Sequence, residues 1–118
     1  MGSLGAVMLD HKFIEKIREY GGNKALAEIV ELYFADQVLL LDHIREALAA
    51  NDSARLQDRA HALKGCSINL GAVEIGSLCE KIERLSAAGE LREAAAMVDQ
   101  LEFEASAVRH ELQLELSK

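Results

Sequence analysis

The chain of 118 residues is 50% hydrophobic, contains no proline and carries a formal charge of −7. That length suits one domain with a single core and no disulfide or metal staples, and the composition excludes a disordered or proline-rich chain. The dispersed negative charge opposes the phosphate contacts of a nucleic-acid binder. The longest apolar run, Val38-Leu39-Leu40-Leu41, is far short of the ~20 residues that span a bilayer.

Residues 1–8 lack both the long apolar stretch of a secretory signal and the Ser or Thr at position 6 that myristoylation favours. They are read as a loose tail ahead of one domain at 9–118. Two cysteines without close spacing point to reduced thiols in a cytoplasmic protein rather than a disulfide framework. Ala, Leu, Glu and Lys dominate over β-branched and aromatic residues, which predicts an all-α fold.

Gly21-Gly22, Asn51-Asp52-Ser53, Gly71 and Gly89 separate five apolar-periodic stretches. The first, about 10–20, has Asp10 as N-cap and Phe13, Ile14, Ile17 and Tyr20 as its apolar stripe. The second, about 23–49, aligns Leu26, Val30, Tyr33, Gln37, Leu40, Ile44 and Leu48, with Gln37 as a polar interruption. Leu32, Leu39 and His43 lie opposite that line. The short first stretch is expected to cover them, with a partner or dimer surface as the alternative.

The third stretch, about 53–70 and capped by Asp52 or Ser53, steps by fours and threes through Leu56, Ala60, Leu63, Ser67 and Leu70. The fourth, about 72–88, aligns Ile75, Leu78, Cys79, Ile82 and Leu85. The fifth, about 90–116, repeats the rhythm through Leu91, Ala94, Val98, Leu101, Ala105, Val108 and Leu112. Four amphipathic helices with short connections predict an antiparallel up-and-down four-helix bundle with a short additional N-terminal helix.

The most informative residues are Ala60-His61-Ala62-Leu63-Lys64-Gly65. On an ideal wheel His61 points about 140° from the core direction of its helix, Lys64 about 80°, Gly65 about 180° and Ile68 about 120°. His61 therefore faces solvent rather than serving as a core histidine. Gly65 costs its helix roughly 1 kcal/mol relative to alanine at a position where helix packing gives no reason for it. A missing side chain beside an exposed ring leaves room for a reactant, and Lys64 offers a compact cation for a phosphoryl group. An idle histidine and lysine on a solvated face are the plain alternative.

The run His61-Ala-Leu63-Lys64-Gly65-Cys-Ser-Ile-Asn-Leu70-Gly71, followed by Leu78-Cys79-Glu80-Lys81-Ile82-Glu83, resembles the signature of histidine-containing phosphotransfer (HPt) domains. The likeness extends in helix order and length over about residues 9–116. It implies a carrier in a multistep two-component phosphorelay. His61 would accept a phosphoryl group from a receiver-domain aspartate and pass it to another receiver, and the domain itself would use no cofactor.

By the same resemblance Lys64 would steady the phosphoryl oxygens and Gly65 would keep the site open. Glu83 would hydrogen-bond the imidazole and leave its other nitrogen, Nε2, free to attack. Magnesium would come with the receiver. The implied partners are response-regulator receivers and a sensor or hybrid histidine kinase, docking on a monomer around Ile68, Leu70 and Gln57. Cys66 and Ile68 depart from the small residues common at their positions, and the bulk of Ile68 narrows which receivers fit.

Three other readings stand beside this one. A metal-binding bundle is opposed by spacing, since His11, His43, His61 and His110 lie on four different stretches and no Glu-x-x-His pair faces a core. A pure interaction bundle would show a degenerate site, whereas His61, Lys64, Gly65 and Glu83 are all present. A domain phosphorylated directly by a kinase catalytic domain shares the same residues, and the Leu-Lys-Gly form leans toward the relay type.

Overall fold

Aspartate caps open the first two helices of the computed structural model, which describes residues 9–118; the expected tail at 1–8 lies outside the described residues. Oδ1 of Asp10 accepts from the Lys12 amide at 3.0 Å, and Oδ1 of Asp52 accepts from the Arg55 amide at 3.0 Å. Each satisfies a donor that the first turn of a helix leaves open. The helices are α1 (His11–Ala49), α2 (Ser53–Ile68), α3 (Val73–Ala87) and α4 (Leu91–Leu116). Short connections turn each back along the last, giving the antiparallel bundle. α1 packs on α2 and α4, and α3 fills the opposite corner between the same two helices.

The apolar lines meet in one core. Leu26, Val30 and Ile44 of α1 are enclosed with Leu56 and Leu63 of α2, Ile75 and Ile82 of α3, and Val98, Leu101 and Leu112 of α4. Full burial of a side chain of this size stabilises the fold by roughly 1.5–3 kcal/mol. At the edges the lines drift: Leu48, Leu85 and Leu91 are half-buried, while Ala47 and Ser86 take enclosed places.

Gln37, the polar interruption, is buried for a reason. Its Nε2 donates to the Tyr33 hydroxyl at 3.1 Å, which lies 2.9 Å from Oγ of Ser67, and its Oε1 accepts from Arg109 at 2.9 Å. This chain links α1, α2 and α4 through the core and gives Tyr33, Gln37 and Ser67 their hydrogen-bond partners. Burial pushes the Tyr33 phenol up to about 12, against the lowering effect of its bonds to Ser67 and Gln37.

The N-terminal segment is the expected short helix, but it packs in a different place. Gly22, at φ 74° and ψ −173°, breaks α1 inside its span, and the residues before the break lie across the end of the bundle. The Asp10 amide donates to the Gly71 carbonyl at 2.7 Å, and Arg18 donates to Oε1 of Glu115 at 3.0 Å and to the Glu115 carbonyl at 2.6 Å. These bonds hold the segment against the α2–α3 turn and the end of α4. It therefore does not cover the outer face of α1, where Leu32 stays 69% exposed and Leu39 53%. The expected stripe is corrected as well: Ile14 is enclosed and Ile17 half-buried, but Tyr20 is 82% exposed and Phe13 40%.

Candidate functional site

α2 and α3 run side by side, and the site lies on their outer rim. Gly76 sets their closeness. A Cβ at Gly76 would sit 3.0 Å from Cγ1 of Ile68 and 3.9 Å from Cγ of Lys64, so the stems of both α2 residues lie on the bare backbone of α3. Sequence reasoning passed over Gly76. The available signal was a glycine inside an apolar-periodic helix, which often marks close backbone approach.

Two turns beyond Gly76, Glu83 reaches across to α2. Its Oε2 lies 3.0 Å from Nδ1 of His61, and its Oε1 lies 3.1 Å from Nζ of Lys64. A carboxylate oxygen only accepts, so the ring donates through Nδ1 and a neutral imidazole carries its lone pair on Nε2. The His61 side chain is 68% exposed, whereas those of Glu83 and Lys64 are largely enclosed. The ring is thus gripped on one nitrogen and open on the other. Around Gly65 a Cβ would find nothing within 4 Å, so the space above the helix is open there.

The structure thus brings His61, Lys64, Gly65 and Glu83 together. Ile68 and Gln57 are exposed on α2 on either side of His61. Leu70 is not on that surface. It is 2% exposed and forms the floor of a shallow recess with Ile29, Leu32 and Cys66. It lies two residues past the end of α2 with its side chain in the core, so, contrary to expectation, it is not exposed for docking.

Neither thiol competes with the imidazole as nucleophile. Burial first, then the nearby Cys66 and Glu83, pushes Cys79 up to about 12, with Lys64 opposing weakly. Burial and Asp36 raise Cys66, whose Sγ donates to the Leu63 carbonyl at 3.5 Å. Both are free cysteines held as thiols at neutral pH. Among the described residues no group of three or more His, Cys, Asp or Glu side chains is arranged to hold a metal ion, and no helix is long and apolar enough to cross a membrane.

Comparison with known proteins gives one consistent result. A family model described as Hpt domain matches residues 28–115. Histidine-containing phosphotransfer protein 4 of Arabidopsis thaliana is 28% identical over 120 residues, covering 96% of this chain and 94% of that protein. The crystal structure of histidine-containing phosphotransfer protein B from Pseudomonas aeruginosa superposes with a TM-score of 0.88 at 29% identity, covering 96% of this chain and 97% of that one. The HPT domain of a sensor hybrid histidine kinase from Shewanella superposes with a TM-score of 0.75 at 22% identity over 93% and 94% of the two chains, a likeness of fold.

Proposed function

Because this chain belongs to the Hpt domain family and is a histidine phosphotransfer intermediate of a phosphorelay, we propose that His61 is the residue that carries its phosphoryl group. The observation that carries this reading is the Glu83 bond to Nδ1 of a ring whose other nitrogen faces solvent. In the proposed step Nε2 attacks the phosphorus of a receiver's aspartyl phosphate. The new N–P bond forms as the O–P bond breaks, and the aspartate leaves as carboxylate. Transfer onward to a second receiver reverses those bonds.

Such a transfer needs a nucleophile, alignment and charge compensation. In this reading the chain supplies the first two and part of the third, and the receiver supplies its acidic, magnesium-holding pocket. That division makes the chain a carrier rather than an enzyme, with a sensor or hybrid kinase feeding the relay in the cytoplasm. Ile68 and Gln57 border the docking surface. The exposed Leu32 and Ile29 of α1 extend it with apolar area of the kind that suits partner recognition.

The test is phosphoryl acceptance from a labelled, phosphorylated receiver. His61→Gln is expected to keep its helicity and melting temperature and to lose an acid-labile, base-stable label. Label retained by this variant would sink the assignment.

A further inference from the structure

Lys64 is not a free cation. Its Nζ lies against Glu83, the same carboxylate that holds the His61 ring, so the charges of Lys64 and Glu83 cancel before any phosphoryl group arrives. A phosphoryl group adds roughly −1.5 to −2 charges to a protein whose formal charge is already −7. A second carboxylate, Glu80, lies one turn from Glu83 on the same helix.

Beside the His61–Glu83 bond, a recess of about 250 Å³ is lined by Gln57, Lys64, Glu80, Glu83, Arg84 and Ala87. Gln57 and Lys64 stand one turn before and one turn after His61 on α2. Glu80 and Ala87 stand likewise about Glu83 on α3. The recess therefore follows the α2–α3 groove beside His61, and Arg84 lines it from α3, as it also lines a second recess on the α4 side with Leu85, Glu93 and Met97. Arg84 is exposed and has no ion pair among the described residues, whereas Arg55 and Arg59 on α2 are each paired to a carboxylate. Ala87, one turn on, brings only a methyl group and leaves the guanidinium room to move.

We propose that Arg84 is a second positioning residue for the phosphoryl group on His61, its guanidinium supplying the positive charge that Lys64 has given to Glu83. The proposal rests on His61 as the acceptor. A guanidinium presents paired N–H donors that match phosphoryl oxygens, and an unpaired one gives up no competing partner when the group arrives. The competing account is structural: Arg84 lies in the last turn of α3, where a cation also favours the helix dipole. That role would affect folding and leave phosphoryl chemistry alone.

Phosphoramidate separates these accounts because it needs no docked protein. Its P–N bond breaks, ammonia leaves, and the N–P bond forms on the imidazole. Wild type, Arg84→Ala, Arg84→Lys and His61→Gln would be labelled with phosphoramidate and, in parallel, with a phosphorylated receiver. Arg84→Ala is expected to lower the rate at saturating phosphoramidate about fivefold, to move the 31P resonance of the phosphohistidine and to leave melting almost unchanged, with Arg84→Lys partly restoring the rate. A wild-type rate in Arg84→Ala, or a loss confined to the KM for the receiver, overturns the proposal and leaves His61 standing. Label retained by His61→Gln overturns the acceptor assignment and this proposal with it.

Discussion

Glu83 on α3 places Oε2 3.0 Å from Nδ1 of His61 on α2, and this one bond fixes which ring nitrogen is free to react. A hydrogen bond to a charged group contributes about 1.5–3 kcal/mol, and 1.4 kcal/mol is a tenfold change in rate. If the bond orients the nucleophile, Glu83→Ala should slow phosphoryl acceptance about tenfold or more, while Glu83→Gln, which keeps an accepting oxygen, should retain most of the rate. Initial rates with a phosphorylated receiver, beside binding of the same receiver, measure this. Equal rates in all three proteins would remove Glu83 from the site.

Gly65 separates stability from function by sign. The space around a Cβ there is open, and alanine favours a helix interior over glycine by roughly 0.5–1 kcal/mol. Gly65→Ala is therefore expected to melt at a higher temperature than wild type. Gly65→Leu should fold equally well but lose transfer from a receiver, because its side chain occupies the approach to His61. A paired thermal melt and transfer assay reads both effects, and normal transfer in Gly65→Leu would end the access argument.

Gly71 ties the N-terminal segment to the α2–α3 turn. Its φ is 78°, and a Cβ there would lie 2.7 Å from the Asp10 carbonyl oxygen. The left-handed conformation alone costs a non-glycine residue roughly 1–2 kcal/mol, and the clash adds to it. Gly71→Ala should lower stability by about 2 kcal/mol or more and should raise amide exchange first in residues 10–21. Denaturant unfolding and hydrogen exchange measure the two parts.

The opposite end of that segment predicts an acid sensitivity. Burial pushes the Glu115 carboxyl up, but hydrogen bonds from Lys118 and Arg18 outweigh it and hold the group below its ordinary value of 4.5. A carboxyl lowered by folding contributes stability that is full above the unfolded value and is lost as pH falls through the folded one. Melting temperature should therefore decline as pH drops below about 4.5. Arg18→Ala should be less stable near neutrality and less steep in that decline. Parallel curves for the two proteins would show that the Arg18–Glu115 contact contributes nothing to the acid response.

Much of this was legible in the chain because helix periodicity is local. The three-four rhythm located α2, α3 and α4 to within a residue or two, and the same wheel put His61 outside and Lys64 at the boundary. The same rhythm that set Leu70 on the core line and Ile68 outside it agrees with their burial, 2% and 44% exposed, and it is the family resemblance that put Leu70 among the docking residues. Gly76 went unread because close approach is a property of two helices, and a single helix gives no sign of its partner.

By itself, then, the sequence determined the helices, their core faces and the histidine on an outward surface, since each depends on residues within a few turns of one another. Only the tertiary structure decided that the N-terminal segment lies across the bundle end and leaves Leu32 and Leu39 in solvent. It also decided that one glutamate serves both His61 and Lys64, and that Arg84 shares their groove unpaired. Those relationships join residues on different helices at ångström precision, and crossing distance and register are fixed by packing in three dimensions.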